Sequence, residues 1–306
     1  MVTMRGTQLM TPLTHFGPDR DALRRTGDGI LDAGEDARYL VTRAGSVSLR
    51  EGEGGRLELA LETRDPRIGV QNPLVYLGRL DGMRIIAAED PEPGPELEDP
   101  GREMHDIRQV APRLDPVTAS YALTASAMAT WHRTTRFCPA CGALLEPTTG
   151  GWVLRCTVEG SEHFPRTDAA VIMGVRDGQD RLLLARNAAF RSRFHSVLAG
   201  FVEPGETLEN AVVREVHEEV SLAVTELEYI GSQPWPFPRS LMIGYRAWVA
   251  DPERLRLQDG ELAEARWFSR EELAAALADG EIEVPAGSSI GRALIEDWYG
   301  GELPAA

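Results

Sequence analysis

The stretch GFVEPGETLENAVVREVHEEV, residues 200–220, joins a glycine-containing turn to an amphipathic helix. Gly200 and Gly205 permit sharp turns in the first part of the stretch. Thr207 is placed to cap the helix, because its hydroxyl can accept a hydrogen bond from a free backbone amide of the first turn. We therefore predict a helix that begins near Leu208, with an apolar face formed by Leu208, Ala211, Val212 and Val216.

A second face of this helix carries three carboxylates. Glu215, Glu218 and Glu219 stand at positions i, i+3 and i+4, so their side chains project to the same side. Neighbouring negative charges repel one another, and divalent cations relieve that repulsion. Oxygen-rich sites of this kind suit magnesium or manganese. For the helix taken alone, a merely solvated acidic face is the alternative interpretation.

Strand patterns lie on both sides of the helix. Apolar runs at 169–175 and 181–185 precede it, and runs at 226–230 and 241–249 follow it. Further helices are predicted at Arg270–Ala278 and Ile290–Tyr299. Strands flanking a central helix indicate an α+β fold in which helices cover a sheet. Between the later strands, the prolines of SQPWPFPRS (232–240) favour a rigid loop, and its two aromatic residues offer stacking surfaces.

All three cysteines precede this region, in a turn-rich segment. Cys138-Pro-Ala-Cys141-Gly presents two thiolates to one point, and Cys156 follows after a short interval, as in a structural zinc ribbon. The position three residues after Cys156 is Glu159 rather than a cysteine. The fourth zinc ligand is therefore open between Glu159, His163 and a water molecule. Reactive or merely buried cysteines are the alternative to a zinc site.

Composition excludes several classes of function. The chain has 306 residues and a formal charge of −16, with 48 acidic residues against 32 basic ones, all of them arginine. Without lysine there is no Schiff-base chemistry and no Walker phosphate-binding lysine. The acidic balance opposes general coating of nucleic acid, which needs many cationic contacts to phosphates. No apolar run is long enough for a membrane span or has the form of a signal peptide, so we expect a cytoplasmic protein without a membrane partner.

The chain also shows compositional boundaries. Short extended segments separated by turns indicate a small antiparallel β-rich unit at the N-terminus, followed by a solvated acidic linker at 89–103 (EDPEPGPELEDPGRE). Asp115 and Pro116 then mark the start of a helix. The predicted domains are a β-rich unit with its linker at 1–104, a connecting helix at 105–135, a zinc ribbon at 136–166 and an α+β domain at 167–303.

The acidic helix and its preceding turn resemble the Nudix box, GX5EX7REUXEEXGU, in which U is aliphatic. The matching residues are Gly200, Glu206, Arg214, Glu215, Val216, Glu218, Glu219 and Leu222. Ser221 stands where the pattern has glycine, which puts the turn that ends the helix in doubt. SQPWPFPRS resembles the signature of NADH pyrophosphatases, the Nudix subgroup with a zinc ribbon ahead of the catalytic domain. The resemblance covers roughly 106–297 and implies a Nudix α/β/α sandwich.

The resemblance implies roles for individual residues. Arg214 is expected to pair with Glu206 rather than to touch phosphate. Glu264 is the alternative to Glu261 for a metal-linked glutamate in a later loop. The catalytic Mg²⁺ or Mn²⁺ ions would be held by Glu215, Glu218, Glu219, the backbone carbonyl of Ala199 and Glu261. The same three box glutamates are the catalytic residues. Substrate would be contacted by Phe201, Arg108, Phe164, Gln233, Pro234, Trp235, Pro236, Phe237, Pro238, Arg239, Ser240 and Gly291.

The implied reaction hydrolyses the pyrophosphate of NADH or NAD⁺ to nicotinamide mononucleotide and AMP. The resemblance also implies NAD-capped RNA 5′ ends as a substrate, a structural Zn²⁺ and a homodimer. One alternative is a Nudix hydrolase that acts mainly on ADP-ribose or diadenosine polyphosphates. Another is a catalytically silent dinucleotide sensor, although such modules typically lose box carboxylates that are all present here. The sequence favours a zinc-ribbon adaptor for nucleic acids least of these hypotheses, because it shows no stripe of basic residues.

Overall fold

The structure is a computed structural model that describes Leu13 and residues 19–63, 73–89, 103–189, 193–258 and 260–304. By their internal contacts, these residues fall into two compact units. The N-terminal unit comprises described residues within 19–167 together with Pro236–Arg239, and the C-terminal unit comprises Leu13 and described residues within 168–235 and 240–304. Most of the predicted acidic linker, residues 90–102, lies outside the described part of the chain.

Seven strands in the described residues form the sheet of the N-terminal unit. They are β1 (Ala37–Arg43), β2 (Ser46–Glu51), β3 (Leu57–Leu59), β4 (Leu61–Glu62), β5 (Leu74–Leu80), β6 (Met83–Glu89) and β7 (Glu103–His105). The order is β3-β2-β1-β6-β5, with β4 paired to β1 and β7 to β2. The prediction of a purely antiparallel unit is wrong, because β1 and β6 run parallel. A parallel pair needs a long connection, and intervening strands supply it here.

Two helices follow the sheet, α1 (Ile107–Val110) and α2 (Pro116–Thr134). The predicted start of α2 is confirmed, since the Asp115 side chain accepts hydrogen bonds from the amides of Val117 and Thr118. Tyr121, Ala125 and Met128 in the middle of α2 are buried, but Val117 at its start is exposed. Trp131, near the end of the helix, packs against the small core of the ribbon.

The ribbon is a three-stranded sheet within the same unit. Its strands are β8 (Leu145–Thr148), β9 (Val153–Cys156) and β10 (Glu162–His163), in the order β10-β9-β8. Both pairings are antiparallel, which brings the segments that follow β9 and precede β8 to one end. Cys138 and Cys156 belong to the buried cluster at that end, together with Leu145 and Leu154.

The C-terminal unit is a six-stranded mixed sheet among its described residues, with helices on both faces. Its elements are β11 (Asp168–Arg176), β12 (Leu182–Asn187), β13 (Leu198–Phe201), α3 (Leu208–Val220), β14 (Val224–Trp235), β15 (Ser240–Val249), β16 (Leu262–Phe268), α4 (Arg270–Ala278) and α5 (Ile290–Tyr299). The order is β14-β15-β11-β12-β16, and β13 pairs with β11. The central pair β11–β15 is parallel.

Alternate side chains of the central strands enter different cores, as the period of two of a β-strand requires. Val171 and Met173 of β11 pack with α3 on one face, whereas Ile172 packs with α4 and α5 on the other. The predicted α+β sandwich, with helices on both sides of a sheet, is therefore confirmed. The predicted bounds of α4 and α5 are confirmed as well.

The stretch 232–240 departs from the predicted loop. Its first half continues β14, and Trp235 pairs with Ser240 across the ladder, so the turn contains only Pro236–Arg239. Tertiary pairing overrides the local preference of proline, which removes one amide donor but leaves the carbonyl free to accept. Strands β13 and β16 were not predicted, because each is short or carries charged residues along its length. Among the described residues, no helix combines the length and apolar character needed to cross a membrane.

Candidate active site

The turn between β13 and α3 joins the start of the box to the helix that carries its carboxylates. The predicted cap is confirmed, since the Thr207 hydroxyl accepts a hydrogen bond from the Asn210 amide at 3.2 Å. The loop closes through two contacts between Glu203 and Glu206, including one from the Glu203 amide to Glu206 Oε2 at 3.1 Å. The helix therefore starts at a fixed position relative to the end of β13.

Gly200 of β13 lies directly against the carboxyl group of Glu215. A Cβ atom at residue 200 would stand 1.9 Å from Glu215 Cδ and 2.1 and 2.3 Å from its two oxygens. A side chain at residue 200 would force the Glu215 carboxyl group to move, because real Cβ atoms essentially never approach another heavy atom within 3.0 Å. The glycine thus lets the backbone of β13 meet a carboxylate of α3 at close range.

Arg214 fastens the turn to the helix. Its Nε and Nη2 donate to the two oxygens of Glu206, each at 2.9 Å, and Nη2 also donates to the backbone oxygen of Phe201 at 2.8 Å. A bidentate pair of this kind fixes geometry as well as charge. The expected Arg214–Glu206 pairing is confirmed, and the arginine hydrogen bonds hold the pKa of Glu206 below its ordinary value.

The same guanidinium reaches two of the three box carboxylates. Arg214 Nη1 donates to Glu215 at 2.8 Å and to Glu218 at 3.0 Å. The Glu218 side chain is 54% exposed, whereas Glu219 is 6% exposed. Burial raises the pKa of Glu215, Arg214 opposes the rise, and the nearby charges of Glu218 and Glu261 add to it. The three carboxylates therefore share a face but differ in their surroundings.

Ala199 and Glu261, the other two predicted metal ligands, lie in different segments of the C-terminal unit. Ala199 lies in β13, where it pairs with Ile172 of β11. Glu261 immediately precedes β16, and its backbone oxygen accepts a hydrogen bond from the Ala188 amide at 2.9 Å. Since the Glu261 charge acts on Glu215, the structure brings a glutamate of the later loop into the surroundings of the box carboxylates.

The helix ends at Ser221 despite the missing glycine. Ser221 has φ 60°, in the left-handed region that favours glycine. Its hydroxyl donates to the Arg256 backbone oxygen at 2.9 Å and accepts from Gln258 Nε2 at 2.6 Å. These bonds offset the conformational cost, and they tie the end of α3 to the segment before β16.

The predicted substrate residues of the C-terminal unit lie in different environments. Phe201 is 60% exposed at the end of β13. Gln233 is fully buried, and its amide donates to Ser288 O and accepts from Ile290 N, both at 2.8 Å. Gln233 thus fixes the start of α5. Gly291 is buried in the first turn of that helix.

The N-terminal unit contains the predicted substrate residues Arg108 and Phe164 together with the turn Pro236–Arg239. The Arg108 guanidinium lies 5.2 Å from the ring centre of Phe237 and also hydrogen-bonds to Asp106. Such an arrangement suits a cation–π contact. Phe164 follows β10 and is 60% exposed.

The cysteines gather with Glu159. In the described part of the chain, Cys138, Cys141, Cys156 and Glu159 form the one group of three or more potential metal ligands whose donor atoms all lie within 4.8 Å of one another. Cys138 Sγ donates to Glu159 Oε1 at 3.0 Å, and the Sγ atoms of Cys141 and Cys156 are 3.4 Å apart. Three thiols and a carboxylate are a donor set that suits zinc.

Ser161 orients the Glu159 carboxylate. Its hydroxyl donates to Glu159 Oε1 at 2.7 Å and lies 3.1 Å from His163 Nε2. The hydrogen bonds from Cys138 and Ser161 hold the pKa of Glu159 below its ordinary value. His163 contacts this serine but lies outside the group. Sequence reasoning missed Ser161, because a lone serine in a turn has no diagnostic spacing.

Three family models match consecutive parts of the chain. The NADH pyrophosphatase-like rudimentary NUDIX domain matches residues 36–131, the NADH pyrophosphatase zinc ribbon domain matches 133–164, and the NUDIX domain matches 165–285. Together they span both units of the structure.

The chain is also similar to individual proteins. The chain is 44% identical to the NAD-capped RNA hydrolase NudC of Mycobacterium bovis (strain BCG / Pasteur 1173P2) over 237 residues, 73% of this chain and 74% of that protein. Identity to the protein of the same name from Mycobacterium tuberculosis (strain ATCC 25618 / H37Rv) is 43% over the same shares. A solved NUDIX hydrolase from Nitrosomonas europaea matches with TM-score 0.43 and 22% identity, over 55% of this chain and 96% of that chain.

Proposed function

Because the chain belongs to the NADH pyrophosphatase family of Nudix hydrolases, we propose that it hydrolyses the pyrophosphate bond of NAD(H) and removes NAD caps from RNA 5′ ends. The observation that carries the proposal is the complete set of box carboxylates on α3, two of which Arg214 hydrogen-bonds while it also bonds to Phe201 O at the end of β13. The relatives that share up to 44% identity are named NAD-capped RNA hydrolases.

Divalent metal ions belong to this family's chemistry, and we assign Mg²⁺ or Mn²⁺ to the carboxylates near Gly200. Oxygen donors suit these hard cations. Glu215, Glu218, Glu219, Glu261 and the carbonyl of Ala199 would hold the ions. The unfavourable interaction of Glu215 with Glu218 and Glu261 supports the assignment, because an added cation would relieve it. The Arg214 guanidinium, which hydrogen-bonds two of these carboxylates, supplies part of the needed positive charge.

The catalytic roles follow from the differing environments of the carboxylates. Bound divalent ions supply charge that offsets the pyrophosphate and lowers the pKa of a water molecule. Glu218 is accessible and can orient that water or accept its proton at a carboxylate oxygen, and buried Glu219 is the other candidate for this role. The water oxygen bonds to one phosphorus, the bridging oxygen leaves with the other, and the products are nicotinamide mononucleotide and AMP.

We assign the substrate contacts as the family resemblance implies. Exposed Phe201 offers a ring for stacking on a base. Gln233 would contribute chiefly by holding the start of α5, where Gly291 lies, since its amide is already bonded to Ser288 and Ile290. The other assigned contacts are Arg108, Phe164, Pro234, Trp235, Pro236, Phe237, Pro238, Arg239 and Ser240.

We further propose that zinc is bound by Cys138, Cys141, Cys156 and Glu159. Substituting Glu159→Gln should lower the zinc content of the purified protein, measured by atomic emission, while Glu162→Gln in β10 should not. An unchanged zinc content in Glu159→Gln would show that another group is the fourth zinc ligand. A homodimer and a cytoplasmic location remain predictions, which sedimentation and cell fractionation can test.

The activity test is product analysis. Wild-type protein incubated with NADH and Mn²⁺ should release AMP, and Glu219→Gln should lose most of this activity. Glu228→Gln is the matched control, because Glu228 of β14 is paired with Arg246 of β15. No AMP from the wild type, or equal activity in Glu219→Gln, would refute the proposal. NADH binding without turnover would identify a sensor, and faster turnover of ADP-ribose or diadenosine polyphosphates would reassign the substrate.

A further inference from the structure

His195 is a buried residue of the C-terminal unit that the proposed chemistry does not use. It lies ahead of β13 and is 3% exposed. Its backbone amide donates to Glu283 O at 2.7 Å, and the next residue, Ser196, exchanges backbone hydrogen bonds with Ala185 of β12. The backbone that carries the ring is therefore held both by β12 and by the segment between α4 and α5.

Both ring nitrogens of His195 face oxygen atoms. Nδ1 lies 3.0 Å from the backbone oxygen of Arg193. Nε2 lies 3.6 Å from Glu264 Oε2, and it is buried without a hydrogen-bond partner in the described part of the chain. The Arg193 oxygen can only accept a hydrogen bond, so an N–H at Nδ1 suits that contact. The buried Nε2 is thus directed at the carboxylate of Glu264.

Glu264 has a second basic side chain beside it. Arg186 of β12 is its cross-strand partner, and Arg186 Nε lies 3.8 Å from Glu264 Oε2. The carboxylate is 40% exposed and therefore reachable from solvent. A metal ion bound by Glu264 would have to displace the contacts of its carboxylate with His195 and Arg186. This environment differs from that of Glu261, whose charge acts on Glu215.

A β-bulge separates the two glutamates. Arg186 pairs with Glu264, but the next residue of β12, Asn187, pairs with Leu262, so Ala263 is an extra residue in β16. Bulges of this kind change the direction in which neighbouring side chains point. Just past the bulge, the Glu261 backbone oxygen bonds to the Ala188 amide. Glu264 therefore lies directly after the bulged residue Ala263, and Glu261 lies two residues before it.

We propose that Glu264 and His195 are positioning residues: the pair fixes the bulged start of β16 and so directs Glu261 toward the catalytic metal ions. Glu264 is then not itself a metal ligand. This inference rests on the proposed function, in which Glu261 helps to hold a divalent ion.

The test measures Mn²⁺ binding directly, by electron paramagnetic resonance of the free ion, in the full chain. Glu261→Gln should weaken binding. Glu264→Gln and His195→Gln should each weaken it about tenfold, the size typical for residues that orient a ligand. Because Glu264 acts through Glu261, adding Glu264→Gln to Glu261→Gln should cause no further loss. Glu228→Gln is the control, as an ion-paired glutamate on another strand of the same sheet.

Two outcomes overturn the inference. Wild-type Mn²⁺ affinity in both Glu264→Gln and His195→Gln would remove the positioning role, and an additive loss in the double variant would make Glu264 an independent ligand. Wild-type affinity in Glu261→Gln would instead refute the metal assignment of the proposed function. Thermal melting shows whether each variant folds. If His195→Gln does not fold, the Mn²⁺ affinity of Glu264→Gln decides whether the positioning role holds, because the half-exposed Glu264 side chain tolerates substitution better.

Discussion

Replacing Gly200 with alanine tests whether the close approach of β13 to α3 places Glu215. The new Cβ would lie 1.9 Å from Glu215 Cδ, far inside the 3.0 Å that real Cβ atoms respect. The carboxyl must withdraw by about 1 Å or more, and a displacement of that size at a catalytic group can cost on the order of 100-fold in rate. Because the displaced atoms are the end of a flexible side chain, the loss of folding stability should be smaller than the about 1–3 kcal/mol typical of overpacking a core.

The assay is kcat/KM for NADH hydrolysis, with Mn²⁺ affinity and the free energy of unfolding measured in parallel. Gly174→Ala is the matched control: it lies in β11, and its added Cβ would make ordinary contacts of 3.6 Å with Leu182 and 3.8 Å with Leu294. We expect Gly200→Ala to lose activity far beyond its loss of stability, and Gly174→Ala to retain it. If Gly200→Ala keeps more than half of the wild-type kcat/KM, the reasoning about Glu215 is wrong.

Two further predictions concern stability. Ser221→Ala keeps the left-handed backbone but loses the hydrogen bond from the hydroxyl to Arg256 O, so it should destabilise the protein by about 1 kcal/mol in a denaturant titration. Ser221→Gly should be more stable than the alanine variant, because glycine adopts a left-handed backbone without strain. Equal stability of Ser221→Ala and the wild type would contradict this. Burial lowers the pKa of His132, whose Nε2 lies 2.8 Å from Gly151 O. As the pH falls, the unfolded chain therefore binds a proton before the folded chain does. Below about pH 6.5 the free energy of unfolding should decrease by up to about 1.4 kcal/mol per pH unit. His132→Gln should show a shallower dependence, and an identical pH profile would count against the assignment.

Much of the candidate site followed from spacing along single elements. The i, i+3, i+4 pattern of Glu215, Glu218 and Glu219, the Thr207 cap and the start of α3 are local features, determined by helix geometry within about two turns. The start of α2 was predictable for the same reason, since Asp115 caps it directly. Strand direction was not, because the parallel pairing of β1 with β6 depends on residues far apart in the chain.

The sequence alone determined the identity and order of the candidate ligands, the carboxylates of α3 and the three cysteines, and of the glycine that opens the box. These depend on covalent spacing and local backbone preference, which a single segment carries with it. The sequence left the fourth zinc position open between Glu159, His163 and a water molecule. Only the tertiary structure decided that Gly200 meets Glu215 at contact distance, that Ser161 orients Glu159, and that Glu264 faces His195 and Arg186. Such contacts join segments distant in the chain, and they arise from strand register and side-chain packing, which no local pattern specifies.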